Sequence, residues 1–392
     1  MVPRKFVPRD AAPHLEALVR TNPVVAITGP RQSGKTTLAR RVFHHLPYEN
    51  LEDPETRALV RDDPRSLLER MSAGGIIDEV QRFPDLFSYL QVEVDRGRGP
   101  FVLTGSSRFT LDANISQSLA GRVAYVHLLP FADGELRQTT RPASSLDETL
   151  FTGAYPPVHD RGADPVRWYT DYLATYVERD VRQLLRVADL DAFQRFLRLC
   201  AGWVGQLLNL NRLATDCGIA ANTARAWLGV LRTSYIVHLL PPHHKNFRKR
   251  LVKAPKLYFV DTGLAARLLG ITDARQLEQH PARGPLFESW VVAELLKGRF
   301  NRGLPDNLYF WRNHTGHEVD VLADEGTKLL PVECKSGATL VNDWFDALDR
   351  WRTLAGDAAD MPHLVYGGRQ SRNHRGVQVL GYRDICRLSA RI

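Results

Sequence analysis

A glycine-rich turn between an apolar run and a helical pattern constrains the fold of this chain more than any other feature. Residues 23–42 read PVVAITGPRQSGKTTLARRV. The apolar run has the composition of a buried strand, and Leu38 and Val42 fall four residues apart, as on one face of a helix. The pattern predicts an α/β fold with a parallel sheet, in which a strand leads through a glycine loop into a helix.

The loop matches GxxxxGK[ST], the motif of a phosphate-binding P-loop, through Gly29, Gly34, Lys35 and Thr36. The glycines let backbone N–H groups close around phosphate oxygens, at the positive end of the following helix. Lys35 is expected to reach the β and γ phosphates of ATP, and Thr36 to ligate Mg²⁺. The predicted nucleotide-binding residues are Gly29, Pro30, Arg31, Gln32, Ser33, Gly34, Lys35, Thr36, Thr37 and Asp78.

An ATP site with Mg²⁺ also needs an acid at the end of a buried strand. Residues 74–83, GGIIDEVQRF, supply Asp78 and Glu79. We predict that Asp78 holds Mg²⁺ and that Glu79 orients or deprotonates the attacking water. The same pair suits the amino terminus of a helix, and both interpretations can hold together. Asp261 ends a similar strand, but no acid follows it, so we assign it to structure.

Two further segments carry candidate residues for the same site. Residues 99–107, GPFVLTGSS, predict a buried strand whose carboxyl end brings Ser106 and Ser107 towards the γ phosphate. Arg122 opens a β-rich run in SQSLAGRVAYVHLLPF. Its spacing alone fits either an arginine finger for a neighbouring subunit or an ordinary helix-end cation.

Length and composition limit the remaining classes of protein. The chain has 392 residues, which favours two or three domains, and a formal net charge of +8, which favours polyanionic partners such as nucleic acid. Its four cysteines have no CxxC spacing, so neither a zinc cage nor a disulfide framework is expected. With no apolar run of about 18 residues, we predict no signal peptide and no membrane span, and a cytoplasmic location.

Seven segments in order resemble one known family: the AAA-type P-loop ATPases with a carboxy-terminal DUF4143 region, found in bacteria and archaea. They are GPRQSGKTTL, IIDEVQRFPDLF, LTGSSRF, SLAGRVAYVHLLPF, YVERDV, PKLYFVDTGL and FESWVVAEL. The resemblance covers nearly the whole chain. It implies that Ser106 or Ser107 takes the sensor position and Arg122 the finger position. Arg179 and Arg186 are candidates for a second sensor arginine.

The middle of the chain has helical periodicity. The polar segment RQTTRPASSLDE is expected to be a boundary or a lid connection, and residues 168–208 predict a helical bundle. Trp168, Tyr172 and Tyr176 recur every fourth residue, which favours a core stripe over a base-stacking surface.

A helix-turn-helix pattern follows in residues 211–240, with a turn at Gly218 and a second helix capped by Asn222. The buried stripe is predicted to be Ala224, Trp227, Leu228 and Leu231, with Thr223, Arg225 and Arg232 outside it. The basic segment HHKNFRKRLVK comes where the wing of a winged helix would lie. Such an element binds DNA phosphates in some proteins and packs against its own domain or a partner protein in others.

Residues 317–337, HEVDVLADEGTKLLPVECKSG, carry alternating charges on two predicted strands. Glu333 and Lys335 are two residues apart and must share a face. If the strands pair as a hairpin across DEGTK, one surface carries Asp320, Glu333 and Lys335, the arrangement of a PD-(D/E)xK nuclease site. The departure from that pattern is Val319, where proline is usual.

In such a site two carboxylates hold Mg²⁺, and a lysine orients water or stabilises the charge of the transition state. Upstream, LFESWVVAELL predicts an amphipathic helix with Glu288 beside its apolar stripe, in the place of the nuclease helix glutamate. The predicted metal ligands are therefore Glu288, Asp320 and Glu333, with His314 and His317 at the border of the site. The alternative is a solvated charged face with cross-strand ion pairs.

These patterns together predict an ATPase with ATP and Mg²⁺ as cofactors, acting on DNA and carrying a nuclease-like site. A finger acting in trans implies a homo-oligomer, for which a hexameric ring is one form, and a protein partner is also compatible. The alternative is a non-cleaving, ATP-dependent switch that binds DNA or remodels proteins. The expected domains are an AAA-like domain (1–135), a helical lid (136–205), a winged-helix-like region (206–254) and a nuclease-like DUF4143 domain (255–392).

Overall fold

The computed structural model describes residues 6–105, 119–140, 142–176, 189–243, 253–313 and 315–392. Within these ranges the chain forms a parallel five-stranded sheet, a helical region with a two-stranded sheet, and a six-stranded sheet. The predicted α/β fold class, with a parallel amino-terminal sheet followed by a helical region and a further sheet domain, is confirmed.

The five-stranded sheet has the order β2-β3-β4-β1-β5, and its pairings are all parallel. Its strands are β1 Val24–Thr28, β2 Tyr48–Asn50, β3 Gly75–Asp78, β4 Phe101–Thr104 and β5 Val123–His127. The surrounding helices are α1 Ala12–Thr21, α2 Lys35–Val42, α3 Pro54–Asp62, α4 Pro64–Arg70, α5 Leu86–Asp95 and α6 Asp133–Leu136.

Both faces of this sheet are covered, because alternate residues of β1 belong to different apolar clusters. Val24 and Ala26 pack into one cluster, and Val25 and Ile27 into the other. Burial on both faces explains why β1, β3 and β4 are continuous apolar runs rather than alternating ones. The carboxyl ends of β1, β3 and β4 are neighbours, which places the glycine loop, Asp78 and Thr104 side by side.

The described residues of the middle region form helices and one antiparallel strand pair, β6 with β7. Its elements are α7 Leu146–Thr152, α8 Pro156–Asp160, α9 Pro165–Tyr176, α10 Leu190–Gly202, α11 Leu210–Cys217, α12 Ala221–Thr233, β6 Val237–Leu240, β7 Lys256–Phe259 and α13 Thr262–Leu268. The aromatic stripe is core as predicted, since Tyr172 and Tyr176 are buried and Trp168 stacks on Tyr172 with 5.1 Å between ring centroids. Asp261 has the structural role assigned to it, because its side chain caps α13 by accepting from the Leu264 N–H.

The helix-turn-helix pair α11–α12 is present, with Gly218 in the left-handed conformation at φ 70°. The predicted stripe on α12 is buried: Ala224, Trp227, Leu228 and Leu231. The predicted cap was wrong. The helix begins at Ala221, so Asn222 lies inside its first turn. Its side-chain amide oxygen Oδ1 accepts from the Arg225 guanidinium at 3.0 Å instead of capping the helix. Most of the basic segment that follows, residues 244–252, lies outside the described residues.

The six-stranded sheet has the order β12-β13-β11-β10-β9-β8. Its strands are β8 Leu308–Arg312, β9 Glu318–Asp324, β10 Leu329–Lys335, β11 His363–Tyr366, β12 Arg372–His374 and β13 Val377–Gly381. Its helices are α14 Arg283–Asn301, α15 Asp346–Ala355 and α16 Ile385–Arg391. Short 3-10 turns lie at Val80–Arg82, Ala274–Gln279, Asn342–Phe345, Gly356–Ala358 and Tyr382–Asp384. The predicted hairpin is confirmed, since β9 and β10 pair antiparallel with Val321 opposite Val332.

Helix α14 departs from the amphipathic pattern that the sequence predicted. Most of its 19 residues are buried, including Glu294 and Lys297. The reason is its central position: it contacts β5 of the first sheet, β7 of the middle region and β10 of the last sheet. One continuous apolar core joins the middle region to the six-stranded sheet around this helix.

Candidate functional site

At the two motif glycines, the loop after β1 has a backbone conformation that favours glycine. Gly29 has φ +148°, and a Cβ added there would lie 2.1 Å from the Leu128 carbonyl oxygen. Gly34, with φ +97°, is the residue immediately before α2. These two positions give the loop the tight path with which a P-loop brings its N–H groups around phosphate.

The polar side chains of the loop fit a phosphate ligand. Lys35 is 5% exposed, and its ammonium donates to the carbonyl oxygens of Gly29 at 3.0 Å and Pro30 at 2.8 Å. The buried Ser33 hydroxyl has no hydrogen-bond partner among the described residues. A buried cation and an unsatisfied hydroxyl in one loop match the oxygens of a bound phosphate chain. Of the other predicted loop residues, Pro30 is buried, Arg31 is half-buried, and Gln32 and Thr37 are exposed.

Asp78, at the end of β3, is surrounded by hydroxyl groups. Thr36 donates to both of its carboxylate oxygens, at 2.9 and 3.0 Å, and Tyr48 donates at 2.9 Å. The Thr104 hydroxyl, at the end of β4, also donates to Asp78. Burial, together with the negative charge of Asp78, raises the pKa of Tyr48 far above its ordinary value. This cluster of oxygens suits Mg²⁺, which Thr36 and Asp78 would hold.

Sequence patterns identified Asp78 and Thr36 but missed Tyr48 and Thr104. The sequence does place Thr104 at the carboxyl end of a buried strand. Its contact with Asp78 could be inferred only from the sheet order, which puts β4 beside β3.

Glu79 has a left-handed backbone, with φ 53°, a conformation that costs a residue with a side chain about 1–3 kcal/mol. Its N–H donates to the Thr104 hydroxyl at 3.3 Å, and its carboxylate accepts from the Gln81 amide at 2.5 Å. Strain of this kind concentrates at functional sites, and here it turns the backbone directly after Asp78.

Arg122, predicted from the sequence as a candidate finger for a neighbouring subunit, contacts residues of its own chain. Its guanidinium donates to Asp95 at 2.8 Å and to the Ala120 carbonyl oxygen at 3.3 Å, next to edge strand β5. Ser106, Ser107, Arg179 and Arg186 lie outside the described residues.

Arg9 binds the backbone of the P-loop, a role that no sequence motif indicated. It is 6% exposed and donates to the carbonyl oxygens of Ser33 and Leu129, each at 2.7 Å. Its third contact is an ion pair with the buried Glu135 at 3.0 Å. Arg9 thus ties the loop to the segment that leads into α6.

A second contact ties the P-loop to the middle region. The Thr28 hydroxyl, directly before Gly29, lies 2.8 Å from His127 Nδ1 and 3.0 Å from the Tyr235 hydroxyl. Tyr235 and His127 are themselves 2.9 Å apart. Tyr235 lies just after α12 and has a left-handed φ of 58°. Its hydroxyl therefore connects the end of the helix-turn-helix element with Thr28, the residue before the phosphate loop.

The hairpin β9–β10 places its three predicted residues together. Lys335 donates to Glu333 at 2.6 Å, and Asp320 accepts from the backbone N–H of Cys334 at 2.8 Å. Glu333 is 5% exposed, and its second carboxylate oxygen has no hydrogen-bond partner among the described residues. Burial raises the pKa of Glu333, and Asp320 raises it further against the opposing charge of Lys335.

A lysine that sequence reasoning missed lies among the acids of this site. Carboxylate oxygens of Glu288, Glu318 and Asp320 lie within 4.8 Å of one another, close enough to hold a metal ion. We call these three residues the carboxylate cluster. The Lys256 ammonium lies 2.8 Å from Glu288 and 3.9 Å from Asp320, and it also contacts Glu318.

The charges of the carboxylate cluster and Lys256 depend on one another. Burial raises the pKa of Glu288, with a further contribution from Asp320, while Lys256 opposes the shift. Burial alone would lower the pKa of Lys256, but the three acids outweigh it and raise that pKa. The Tyr258 hydroxyl also donates to Glu288. No local pattern indicated Lys256, because it belongs to β7, far from the hairpin in sequence.

Of the two predicted border histidines, the structure describes only His317. His317 is exposed and contacts Arg350 at 2.8 Å, and His314 lies outside the described residues. In the part of the chain that the structure covers, no helix is both long and apolar enough to cross a membrane.

Three family models match successive parts of the chain. An AAA domain matches residues 21–137, a domain of unknown function (DUF8612) matches residues 143–275, and a second such domain (DUF4143) matches residues 283–385.

Relatives and solved structures extend this comparison. Two proteins named as uncharacterized, one from Mycobacterium tuberculosis and one from Mycobacterium bovis, are each 35% identical over 340 residues, which cover 84% of this chain and 74% of the relative. The Walker-type ATPase of Pyrococcus abyssi is similar with a TM-score of 0.49 at 14% identity, covering 67% of this chain and 96% of that chain. From its matched domains and these relatives, the chain belongs to the DUF4143-containing family of AAA-type P-loop ATPases.

Proposed function

We propose that this protein binds ATP with Mg²⁺ at the P-loop and hydrolyses it. The observation that carries the proposal is the contact of Thr36 with Asp78 beside a buried Lys35, at the carboxyl ends of adjacent strands. Lys35 binds the β and γ phosphates, and Thr36 and Asp78 hold the metal ion. Mg²⁺ supplies positive charge that stabilises the transferred phosphoryl group. Glu79 orients the water and accepts its proton.

ATP binding and turnover by point variants test this proposal. Lys35→Ala should lose binding of a fluorescent ATP analogue together with hydrolysis. Glu79→Gln should keep binding but lower kcat by about a hundredfold or more, because only the proton acceptor is lost. The exposed Lys253→Ala is the matched control and should leave both measurements unchanged. Hydrolysis at the wild-type rate in Lys35→Ala would overturn the proposal.

We further propose that the nucleotide state reaches the carboxy-terminal site through α14. Glu294 of this helix accepts from the Asp133 N–H at 2.8 Å, and Lys297 donates to the Phe131 carbonyl oxygen at 2.8 Å. Both α14 residues are 2% exposed, so the helix is fixed to the segment that Arg9 clamps to the P-loop. The same helix carries Glu288 of the carboxylate cluster.

Hydrogen exchange measures this connection. Binding of a non-hydrolysable ATP analogue should change the exchange rate of β9–β10 amides in the wild-type protein, and Lys35→Ala should abolish the change. Unchanged exchange in saturated wild-type protein would remove the argument for coupling between the two sites.

A second candidate function is Mg²⁺-dependent cleavage of phosphodiester bonds in DNA at the hairpin. The observation that favours it is the buried, unpartnered oxygen of Glu333 beside Lys335 and Asp320, a donor set that suits a divalent cation and a water nucleophile. The net charge of +8 and the exposed Arg225 and Arg232 on α12 favour a polyanion as substrate.

Cleavage of supercoiled and single-stranded DNA, with and without ATP, tests the second candidate. Glu333→Ala and Lys335→Ala should each abolish Mg²⁺-dependent cleavage, while the exposed Lys328→Ala should retain it. Absence of cleavage by the wild-type protein, with ATP hydrolysis intact, would favour a non-cleaving switch. A DNA-binding switch should then lose affinity with salt, with a log-log slope of about −0.9 per neutralised phosphate.

A further inference from the structure

We propose that Lys256 is a resident cation of the carboxylate cluster, and that a divalent metal ion enters the cluster only when the Lys256 ammonium withdraws. The inference concerns regulation of the site in our second candidate function and rests on that site being a metal site. It assigns to the middle region a residue that controls the carboxy-terminal site.

The contacts of Lys256 place its ammonium where a metal ion would bind. It is 3% exposed, lies 2.8 Å from Glu288 and 3.9 Å from Asp320, and contacts Glu318. The carboxylate oxygens of these acids lie within 4.8 Å of one another. Mg²⁺ needs oxygen ligands at about 2.1 Å, so it and the ammonium cannot share this space.

A separate observation points to a ligand beside the cluster. The second carboxylate oxygen of Glu333 is buried and has no partner among the described residues, although its first oxygen accepts from Lys335 at 2.6 Å. An acceptor without a donor at this depth is costly unless a ligand satisfies it. Lys256 offsets part of the negative charge of the cluster but leaves the second Glu333 oxygen unsatisfied, as expected of a metal site that a cation holds closed.

The position of Lys256 in the fold gives it a way to move. It is the first residue of β7, where it pairs with Leu240 of β6. Strand β6 begins two residues after Tyr235, whose hydroxyl contacts Thr28 directly before the P-loop. A shift of Thr28 when nucleotide binds would therefore act on the same strand pair that carries Lys256.

Binding of Mn²⁺ to nucleotide-free protein, followed by electron paramagnetic resonance, tests the proposal. Lys256→Met removes the charge and keeps an unbranched side chain, and it should bind Mn²⁺ about tenfold or more tighter than the wild-type protein. The exposed Lys253→Met, on the same segment, is the matched control and should behave as wild type. Adding Glu318→Gln to Lys256→Met should remove the gained site.

Thermal unfolding with and without Mn²⁺ covers the case in which Lys256→Met folds poorly without a cation. Mn²⁺ should raise the Tm of Lys256→Met by more than that of the wild-type protein, because the Thr36–Asp78 site is the same in both. Equal Mn²⁺ affinity in the two proteins, a gained site that survives Glu318→Gln, or a Lys256→Met protein that Mn²⁺ neither binds nor stabilises would overturn the proposal. The assay contains neither ATP nor DNA, so failure of hydrolysis or of cleavage is observed separately from failure of this inference.

Discussion

At the scale of single residues, Gly29 shows how little freedom the phosphate loop has. Gly29→Ala places a Cβ 2.1 Å from the Leu128 carbonyl oxygen at a φ of +148°, so the loop must distort. We expect loss of ATP-analogue binding and a lower Tm.

Gly97→Ala is the control, because Gly97 has φ +79° and open space around it. It should cost about 1 kcal/mol of stability through backbone strain and leave nucleotide affinity unchanged. Equal loss of binding in both variants would contradict this explanation.

The buried carboxyl of Asp133 makes the stability of the protein depend on pH. Burial, reinforced by Glu294 and opposed by Arg137, raises the pKa of Asp133 to about 6 in the folded protein. The folded state therefore favours the protonated carboxyl. This contribution to stability is fully present below about pH 4 and is lost as the pH rises through 6. Asp133→Asn stays neutral, and should increase the free energy of unfolding at pH 7 by on the order of 2 kcal/mol relative to wild type.

Urea unfolding at pH 4 and pH 7 measures this effect. The advantage of Asp133→Asn should shrink towards zero at pH 4, because the wild-type carboxyl is then protonated as well. The exposed Asp357→Asn is the matched control and should show no such pH-dependent difference. An advantage of equal size at both pH values would mean that packing, not charge, is responsible.

At the scale of elements, α14 and α12 respond oppositely to the same substitution. Replacing a helical glycine with alanine usually stabilises a protein by about 0.5–1 kcal/mol. Gly229→Ala in α12 has open space for the new methyl group and should follow this rule. Gly298→Ala in α14 would place its Cβ 2.5 Å from the Ser389 carbonyl oxygen of α16, and should destabilise by about 1–3 kcal/mol. Denaturant unfolding of both variants checks the signs, and a stabilised Gly298→Ala would show that α16 moves away at little cost.

Elements whose features are local were the ones that sequence predicted well. The P-loop strand and helix follow from a contiguous motif, and the β9–β10 hairpin follows from a two-residue alternation across a short turn. Helix α14 was misjudged because its polar residues look solvent-facing in sequence. In the fold, Glu294 and Lys297 are paired at 2.7 Å and buried between regions. The same reason hid Lys256 and Tyr235, whose partners lie far away along the chain.

At the scale of the whole molecule, two series of contacts among the described residues lead from the nucleotide site to the rest of the protein. One runs from the P-loop through Arg9 to the segment that binds α14, and the other from Thr28 to Tyr235 and the β6–β7 pair. Contacts alone do not establish a pathway, since coupling requires an element with two arrangements. The Lys256 ammonium, in or out of the carboxylate cluster, is the arrangement that we propose to be biased by nucleotide.

Assembly of several copies would bring Arg122 of one copy to the nucleotide site of the next. Arg122 pairs with Asp95 in the described chain, and an arginine finger acting in trans would leave this partner for the nucleotide site of a neighbour. If Arg122 acts in this way, Lys35→Ala loses the P-loop function and Arg122→Ala loses the finger, so each variant should hydrolyse ATP poorly alone. An equal mixture that exchanges subunits should regain activity at about a quarter of its interfaces, where an intact P-loop meets an intact finger. ATPase assays of the mixture and of each component alone measure this recovery.

The control replaces Arg96, an exposed arginine outside this role. A mixture of Lys35→Ala with Arg96→Ala should show only the activity of the Arg96→Ala subunits. Absence of recovery in a mixture shown to exchange subunits would assign Arg122 to its contact with Asp95 within one chain.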